Sequence, residues 1–187
     1  KETGFSVLMS VYFKEKQDNL ERALDSIFAK QTFKPTEFIL VCDGELTPEL
    51  DRLIDSFKAN YPEIIKVFRK ERGGLGKALN YGLPKCSYEL VARADGDDIC
   101  LPNRFEEQVK FMESHPEIDV CSAWLEEFSD DPNIVESVKK VPETPEEIYS
   151  FGKSRNPMNH PVVMFRKSAV MKNGSYLHFP LLEEKAS

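Results

Sequence analysis

Three carboxylates stand within four positions in the middle of the chain, as Asp95-Gly-Asp-Asp98. They follow Glu89-Leu-Val-Ala-Arg-Ala94, whose mainly apolar side chains predict a short buried strand. Acids this close repel one another, so leaving all of them ionised at neutral pH is costly unless a cation lies among them. Closely spaced oxygen ligands suit Mn²⁺ or Mg²⁺. We therefore predict a divalent-metal site here, against the alternative of a solvated acidic turn.

Composition limits the classes of protein that this chain can belong to. The 187 residues are 41% hydrophobic and 30% charged, which predicts one globular domain over residues 1–187. The net charge of −7 argues against a nucleic-acid groove. No apolar run reaches the length of a membrane span, and the start shows no signal peptide. The four cysteines lack metal-ligand spacing, so reduced thiols in the cytoplasm are expected, although a disulfide is compatible with the sequence.

The elements that must position the acids alternate between strand and helix. Apolar runs at 5–10, 37–42, 64–68 and 90–94 predict four strands. Asp18 and Glu21 form a capping-box pattern before one helix, and Thr47-Pro48 opens a second. A third helix is expected from Lys77, after a glycine-rich turn, and the N-terminal amides of this helix can face an anion. The alternation predicts an α/β fold with a mainly parallel sheet flanked by helices, and the loops after its strands share one edge.

The second half of the chain gives weaker signals. A helix is expected from Asn103 to near His115, followed by a strand over 118–125. A peripheral strand near 134–138, a short helix over 145–151, a strand over 162–165 and a helical turn over 167–172 complete the prediction. Trp124 lies in an apolar run, where a core position is the ordinary outcome and a stacking platform for an acceptor is the alternative.

Several common ligand-binding motifs do not fit. A Walker phosphate loop fails at Glu71 and Ala78, and a dinucleotide fingerprint lacks its third glycine at Leu79. An EF-hand beginning at Asp95 places Ile99 and Cys100 where an acid and a glycine belong.

Three segments together resemble glycosyltransferase family 2, the nucleotide-sugar-dependent enzymes of GT-A fold. They are Ser6-Val-Leu-Met-Ser-Val-Tyr12, Gly74-Leu-Gly-Lys-Ala-Leu-Asn80, and Ala92-Arg-Ala-Asp-Gly-Asp-Asp-Ile-Cys-Leu-Pro-Asn-Arg-Phe105 with its D-x-D core. Asn159-His-Pro161 resembles a late segment of the same enzymes, so the likeness runs from about residue 5 to 165.

The resemblance implies roles for individual residues. Ser10 and Tyr12 would line the base and ribose pocket, and Asp43 would hydrogen-bond the uracil edge. Asp97 would be the principal ligand of a Mn²⁺ or Mg²⁺ ion that bridges two phosphates, with Asp95 at the ribose or metal and Asp98 beside them. Lys77 and Arg93 would pair with phosphate or sugar oxygens. For Lys77, a solvated helix face is an equal alternative.

The implied reaction is an inverting transfer from a nucleoside diphosphate sugar, a UDP-sugar, to a saccharide or lipid-linked acceptor. The cation would offset charge on the leaving diphosphate, and a carboxylate would remove the acceptor proton. Glu183 and Glu184 are the candidate bases, although a solvated pair is the alternative and Lys185-Ala-Ser187 leaves a C-terminal truncation open. His160 is expected either to contact a substrate or to be structural. The expected location is the cytoplasm, including the inner face of the membrane.

Two other functions stay open. A sugar-1-phosphate nucleotidyltransferase would need a glycine-rich loop after the first strand, where Val11-Tyr-Phe13 stands instead. A non-catalytic nucleotide-sugar-binding module would fit if the base is absent.

Overall fold

The computed structural model describes residues 3–129, 131–154 and 156–176. Its strands are β1 (Phe5–Val11), β2 (Glu37–Asp43), β3 (Ile65–Lys70), β4 (Leu90–Arg93), β5 (Val120–Cys121), β6 (Leu125–Glu127), β7 (Ser137–Lys139) and β8 (Met164–Arg166). Its helices are α1 (Gln17–Phe28), α2 (Pro48–Asn60), α3 (Leu75–Gly82), α4 (Arg104–Ser114), α5 (Pro145–Gly152) and α6 (Lys167–Lys172).

Six strands form one sheet in the order β3-β2-β1-β4-β8-β5, and β6 pairs with β7 in a separate hairpin. The first four strands of that order are parallel, whereas β8 runs antiparallel to both of its neighbours. This confirms the predicted mainly parallel sheet flanked by helices. Because β1 lies between β2 and β4, the chain reverses its direction of strand addition at the β1–β4 pair. Ligands of open α/β sheets bind at such a switch point, beyond the carboxyl ends of the strands.

Two apolar clusters fix the sheet between its helices. The larger lies on the face covered by α1, α2 and α4, where the Phe5 ring packs on Phe105 with centroids 5.1 Å apart. The smaller lies under α3 and includes Leu8, Val41 and Phe165. Strands buried on both faces read as continuous apolar runs, which is why β1, β2 and β4 were predictable.

The helix starts test the local sequence signals. Thr47 caps α2 by accepting a hydrogen bond from the Leu50 amide at 3.4 Å, as predicted. The prediction that Asp18 caps α1 is wrong, because the N-cap is Lys16 and Asp18 lies in the first turn. There its charge still favours the positive end of the helix. Helix α3 begins at Leu75, two residues before the predicted start.

The region after α4 departs furthest from the predicted pattern. The expected strand over 118–125 is divided between β5 in the main sheet and β6 in the hairpin. Asn159 lies beside this break and donates from Nδ2 to the carbonyls of Ala123, at 2.9 Å, and Lys139, at 3.2 Å. These two bonds hold the start of the hairpin and the end of β7 together. No helix within the described parts of the chain is both long and apolar enough to span a membrane.

Candidate active site

The glycine turn between β3 and α3 is organised by Asp43, the last residue of β2. Its carboxylate accepts hydrogen bonds from the amides of Gly73, at 2.9 Å, and Gly74, at 2.8 Å, and from Lys70 Nζ at 2.8 Å. The amides of Gly73 and Gly74, which precede α3, therefore face a carboxylate of the chain itself. Gly74 adopts a φ of +89°, which a residue without Cβ tolerates.

The donor-site residues predicted from the sequence gather along the same edge of the sheet. Ser10 is half-buried near the end of β1, and Tyr12 is half-buried directly after that strand. Lys77 is exposed in the first turn of α3, where its aliphatic chain lies close to Gly73. The neighbouring Phe13 ring lies 4.8 Å from the guanidinium carbon of Arg72, so an aromatic and a cationic group also border this edge.

The acid loop, defined here as residues 95–98, follows β4 after Ala94. Asp95 and Asp98 are half-buried and Asp97 is exposed. The loop is anchored on its C-terminal side, because the Cys100 amide donates to Ser26 Oγ at 3.0 Å and Gln31 donates to the Leu101 carbonyl at 2.8 Å. Both anchors come from the α1 region. The three acids therefore sit on a turn whose exit is fixed by the helix that follows β1.

Glu15 is a fourth carboxylate at the acid loop that sequence reasoning missed. It lies in the loop after β1, and a Cβ added at Gly96 would stand only 2.9 Å from its Oε2 atom. Its other oxygen, Oε1, accepts a hydrogen bond from the Lys16 amide at 3.1 Å. The available signal was its position at the carboxyl end of β1, the strand that pairs with β4 at the switch point.

Burial, together with repulsion between the carboxylates, raises the pKa of two of these acids. Burial, and then the charges of Asp95 and Asp97, raise the pKa of Asp98 to about 6. Burial and the charge of Asp97 likewise raise the pKa of Glu15. A cation among them would offset the repulsion that raises both values.

The donor set fits a divalent cation that is completed by a ligand. Among the side chains that the structure describes, no group of three or more Asp, Glu, His or Cys is arranged to enclose a metal ion. Mg²⁺ sites are commonly built in this open way, from one or two carboxylates together with substrate phosphates and water. Oxygen ligands, crowded negative charge and an open arrangement are all present at the acid loop.

His160 and Tyr176 lie near the acid loop on the β8 side. Burial and then the charge of Arg93 lower the pKa of His160 to about 4, while Asp95 acts in the opposite direction. The imidazole is therefore neutral near pH 7, and it meets the Tyr176 ring edge-on with centroids 5.5 Å apart.

A cavity of about 800 Å³ opens beside Asp98, between α4 and the β6–β7 hairpin. Its lining is mainly apolar and includes Phe111, Val138 and Trp124. Trp124 is 44% exposed, so the core position expected from the sequence is not the one it takes. The ammonium of Lys140 lies 4.4 Å from the centre of its ring. The candidate catalytic bases Glu183 and Glu184 lie outside the described residues.

A mainly parallel sheet with a carboxylate cluster at its switch point is the arrangement that the resemblance to GT-A enzymes implies. The sequence model of Glycosyl transferase family 2 matches residues 6–174. The chain therefore belongs to glycosyl transferase family 2, as the sequence motifs indicated.

Two curated bacterial proteins are similar over almost the whole chain. The amylovoran biosynthesis glycosyltransferase AmsE of Erwinia amylovora is 43% identical over 180 residues, covering 96% of this chain and 66% of the relative. The UDP-Gal:alpha-D-GlcNAc-diphosphoundecaprenol beta-1,3-galactosyltransferase of Escherichia coli is 42% identical over 182 residues, covering 97% of this chain and 65% of the relative. The chain thus spans about two thirds of the length of these relatives.

Among solved structures, the mannosyltransferase PcManGT from Pyrobaculum calidifontis, in complex with GDP-Man and Mn²⁺, superposes with a TM-score of 0.67. The match covers 95% of this chain and 48% of that one at 17% identity, so it shows the shared fold.

Proposed function

We propose that residues 1–187 are one catalytic domain of a metal-dependent, inverting glycosyltransferase that takes its sugar from a UDP-sugar. The chain belongs to family 2. The observation that carries the proposal is that Glu15 lies close to the acid loop at the switch point of the sheet. The named activity of the Escherichia coli relative supports a UDP-linked donor. The Mn²⁺ in the mannosyltransferase complex supports a divalent cation.

Each group along the edge then has a distinct task. Asp97, the most exposed acid of the loop, is the principal metal ligand, and Asp95 and Asp98 complete the ligand set. When bound, the cation offsets the charge that develops on the leaving diphosphate. Ser10 and Tyr12 border the base and ribose, and Asp43, which also holds the glycine turn, hydrogen-bonds the uracil edge. Lys77, in the first turn of α3, is a cation for phosphate oxygens.

The acceptor enters from the cavity beside Asp98, since that residue belongs to the acid loop of the donor site and also lines the cavity. We propose a saccharide acceptor, carried on a lipid, because the name of the Escherichia coli relative specifies a sugar on diphosphoundecaprenol. A lipid-linked acceptor also implies work at the inner face of the cytoplasmic membrane. Membrane fractionation of the expressed protein tests this location.

Glu183 and Glu184 remain our candidates for the base that deprotonates the acceptor hydroxyl. A single displacement inverts the anomeric centre, so NMR of the product's anomeric proton tests the stereochemistry. A true base lowers kcat strongly when changed to Gln and leaves binding of UDP unchanged. Equal kcat values in Glu183→Gln, Glu184→Gln and the wild type would contradict both assignments.

Calorimetry with UDP, in the presence and absence of Mn²⁺, tests the core of the proposal. The wild-type protein should bind UDP in a Mn²⁺-dependent manner, and Asp97→Ala should weaken that binding about tenfold or more. Asp55→Ala, which removes an exposed carboxylate from α2, is the matched control and should bind like the wild type. Binding that is indifferent to Mn²⁺ and to Asp97 would refute metal dependence. Hydrolysis of UDP-sugars by the natural-length protein separates an enzyme from a binding module.

A further inference from the structure

Arg93 is a cation at the candidate site that has no access to solvent. Its side chain is 0% exposed, at the end of β4 and two positions before Asp95 of the acid loop. A guanidinium enclosed in this way does not reach a phosphate or a sugar in front of the sheet. The role of direct donor binding, which the sequence resemblance implied for Arg93, therefore has no support in its position.

The guanidinium is held from several sides. Its Nη1 atom donates to the carbonyls of Leu8, at 3.1 Å, and Ala94, at 3.0 Å, while Nη2 donates to Asp95 Oδ1. The Arg93 main chain is fixed as well, because Arg104 Nη2 donates to its carbonyl at 2.6 Å. Because the Arg93 backbone and its Nη1 atom are both held, the planar guanidinium also fixes the direction in which Nη2 donates. The hydrogen bond from Nη2 then orients the Asp95 carboxylate.

The charge balance gives this contact its importance. A fully buried cation needs a counter-ion, and Asp95 forms the only side-chain ion pair of Arg93 within the described residues. Asp95 in turn stands among Asp97, Asp98 and Glu15, which all repel it. Oδ1 is bound to the interior by Arg93, so Oδ2 is the oxygen that can face a ligand in front of the sheet.

We propose that Arg93 is a positioning residue that orients Asp95 from beneath the acid loop, so that Asp95 Oδ2 is available to a divalent cation or to the donor ribose. This proposal depends on the proposed function, because it assigns Arg93 a task in the same donor site. It differs from a purely structural role in one respect: the effect of Arg93 on the ligand passes through Asp95.

A set of variants separates the two roles. Arg93→Met removes the charge and the donors, and Arg93→Lys keeps the charge without the planar fork. Asp95→Asn removes the partner, and the double variant Arg93→Met/Asp95→Asn completes the cycle. Arg52→Met is the matched control, since Arg52 is an exposed arginine of α2 that pairs with Glu49. Binding of UDP with Mn²⁺ by calorimetry, and of Mn²⁺ alone by electron paramagnetic resonance, are the readouts, with circular dichroism as the check on folding.

Arg93→Met should weaken Mn²⁺-dependent UDP binding about 10- to 100-fold, the range for residues that orient a metal ligand. Arg93→Lys should fall between Met and the wild type, and Arg52→Met should match the wild type. The double variant should bind within about twofold of Asp95→Asn alone, because the orienting role is lost once the oriented carboxylate is gone.

Two results would overturn the proposal. One is a folded Arg93→Met or Arg93→Lys protein that binds as tightly as the wild type. The other is a double variant whose loss is the product of the two single losses, which indicates independent roles. If Arg93→Met does not fold, Arg93→Lys and a double variant built on it decide the question. Absence of Mn²⁺-dependent UDP binding in the wild type is a different failure, because it removes the proposed function and this proposal together.

Discussion

Replacing Asp43 tests whether the glycine turn depends on a buried carboxylate. The Asp43 side chain is 5% exposed and its partner Lys70 is 16% exposed, so solvent screens the pair only weakly. Three hydrogen bonds end on this carboxylate, two from backbone amides and one from an ammonium. Asp43→Ala removes both acceptor oxygens, and with them all three hydrogen bonds, and leaves the mostly enclosed Lys70 ammonium without its ion-pair partner.

The size of the effect follows from these contacts. Each hydrogen bond to a charged group contributes about 1.5–3 kcal/mol, which gives an upper range of about 4.5–9 kcal/mol for three. Water can reach the exposed side of the turn and replace some of the lost hydrogen bonds, so the actual loss is smaller than this sum. Breaking a buried ion pair by removing one partner costs about 3–5 kcal/mol. We therefore expect Asp43→Ala to lower the free energy of unfolding by about 3–5 kcal/mol, a large part of the 5–15 kcal/mol typical of a domain.

Urea unfolding followed by circular dichroism measures this loss, and Asp43→Asn adds resolution. Asn keeps one acceptor oxygen but turns an amide group toward other donors, so its cost should be smaller than that of Ala and still clear. Glu49→Ala, which breaks the exposed pair with Arg52, is the control and should change stability by less than about 1 kcal/mol. A loss below about 1 kcal/mol for Asp43→Ala would refute the reasoning, since it would show that the turn holds without its carboxylate.

Three further substitutions probe the sheet and the site. Burial alone would raise the pKa of Glu37, but hydrogen bonds from Lys66 and two serines outweigh it and lower that pKa. This carboxylate therefore stabilises the fold above its unfolded pKa near 4.5, and the benefit is lost as the pH falls through the lower folded pKa. Glu37→Gln should lower the unfolding free energy at pH 7 by about 2–4 kcal/mol. In urea titrations, the difference in unfolding free energy between the variant and the wild type should become smaller below pH 4.5. Gly82→Ala should destabilise by about 1–2 kcal/mol in the same assay, because a Cβ there would lie 2.7 Å from Val41, and this overpacking exceeds the helix propensity gained. Glu15→Gln should raise the thermal midpoint without metal, by relieving repulsion, and weaken Mn²⁺-dependent UDP binding about tenfold in calorimetry. An unchanged midpoint and affinity would exclude Glu15 from the site.

Local sequence signals predicted the elements that build the sheet. The runs that became β1, β2 and β4 are apolar because both faces of those strands are covered. The α2 start was equally readable, since the threonine side chain accepts from the Leu50 amide and proline fits the geometry of the first turn. These features depend on neighbours within a few residues of each other, which a sequence displays directly.

The α1 start shows where a local signal is insufficient. Asp18 with Glu21 matches a capping box, but the helix begins before it, and the Lys16 carbonyl already accepts from the Leu20 amide at 3.0 Å. The Glu15 carboxylate binds the Lys16 amide on the other side. The entry to α1 is therefore set by the loop that also brings Glu15 close to the acid loop, some eighty positions away in the chain.

The residues of the candidate site also differ in whether neighbours in the sequence or contacts between distant strands reveal them. The three acids of the acid loop could be found because they are contiguous, and their chemistry follows from their spacing. Glu15 and the buried role of Arg93 could not, because both depend on how β1 and β4 pair: Arg93 donates to the Leu8 carbonyl, and Leu8 is its register partner. The β1–β4 pairing therefore anchors the Arg93 guanidinium beneath the acid loop. It also places Glu15, which follows β1, close to that loop.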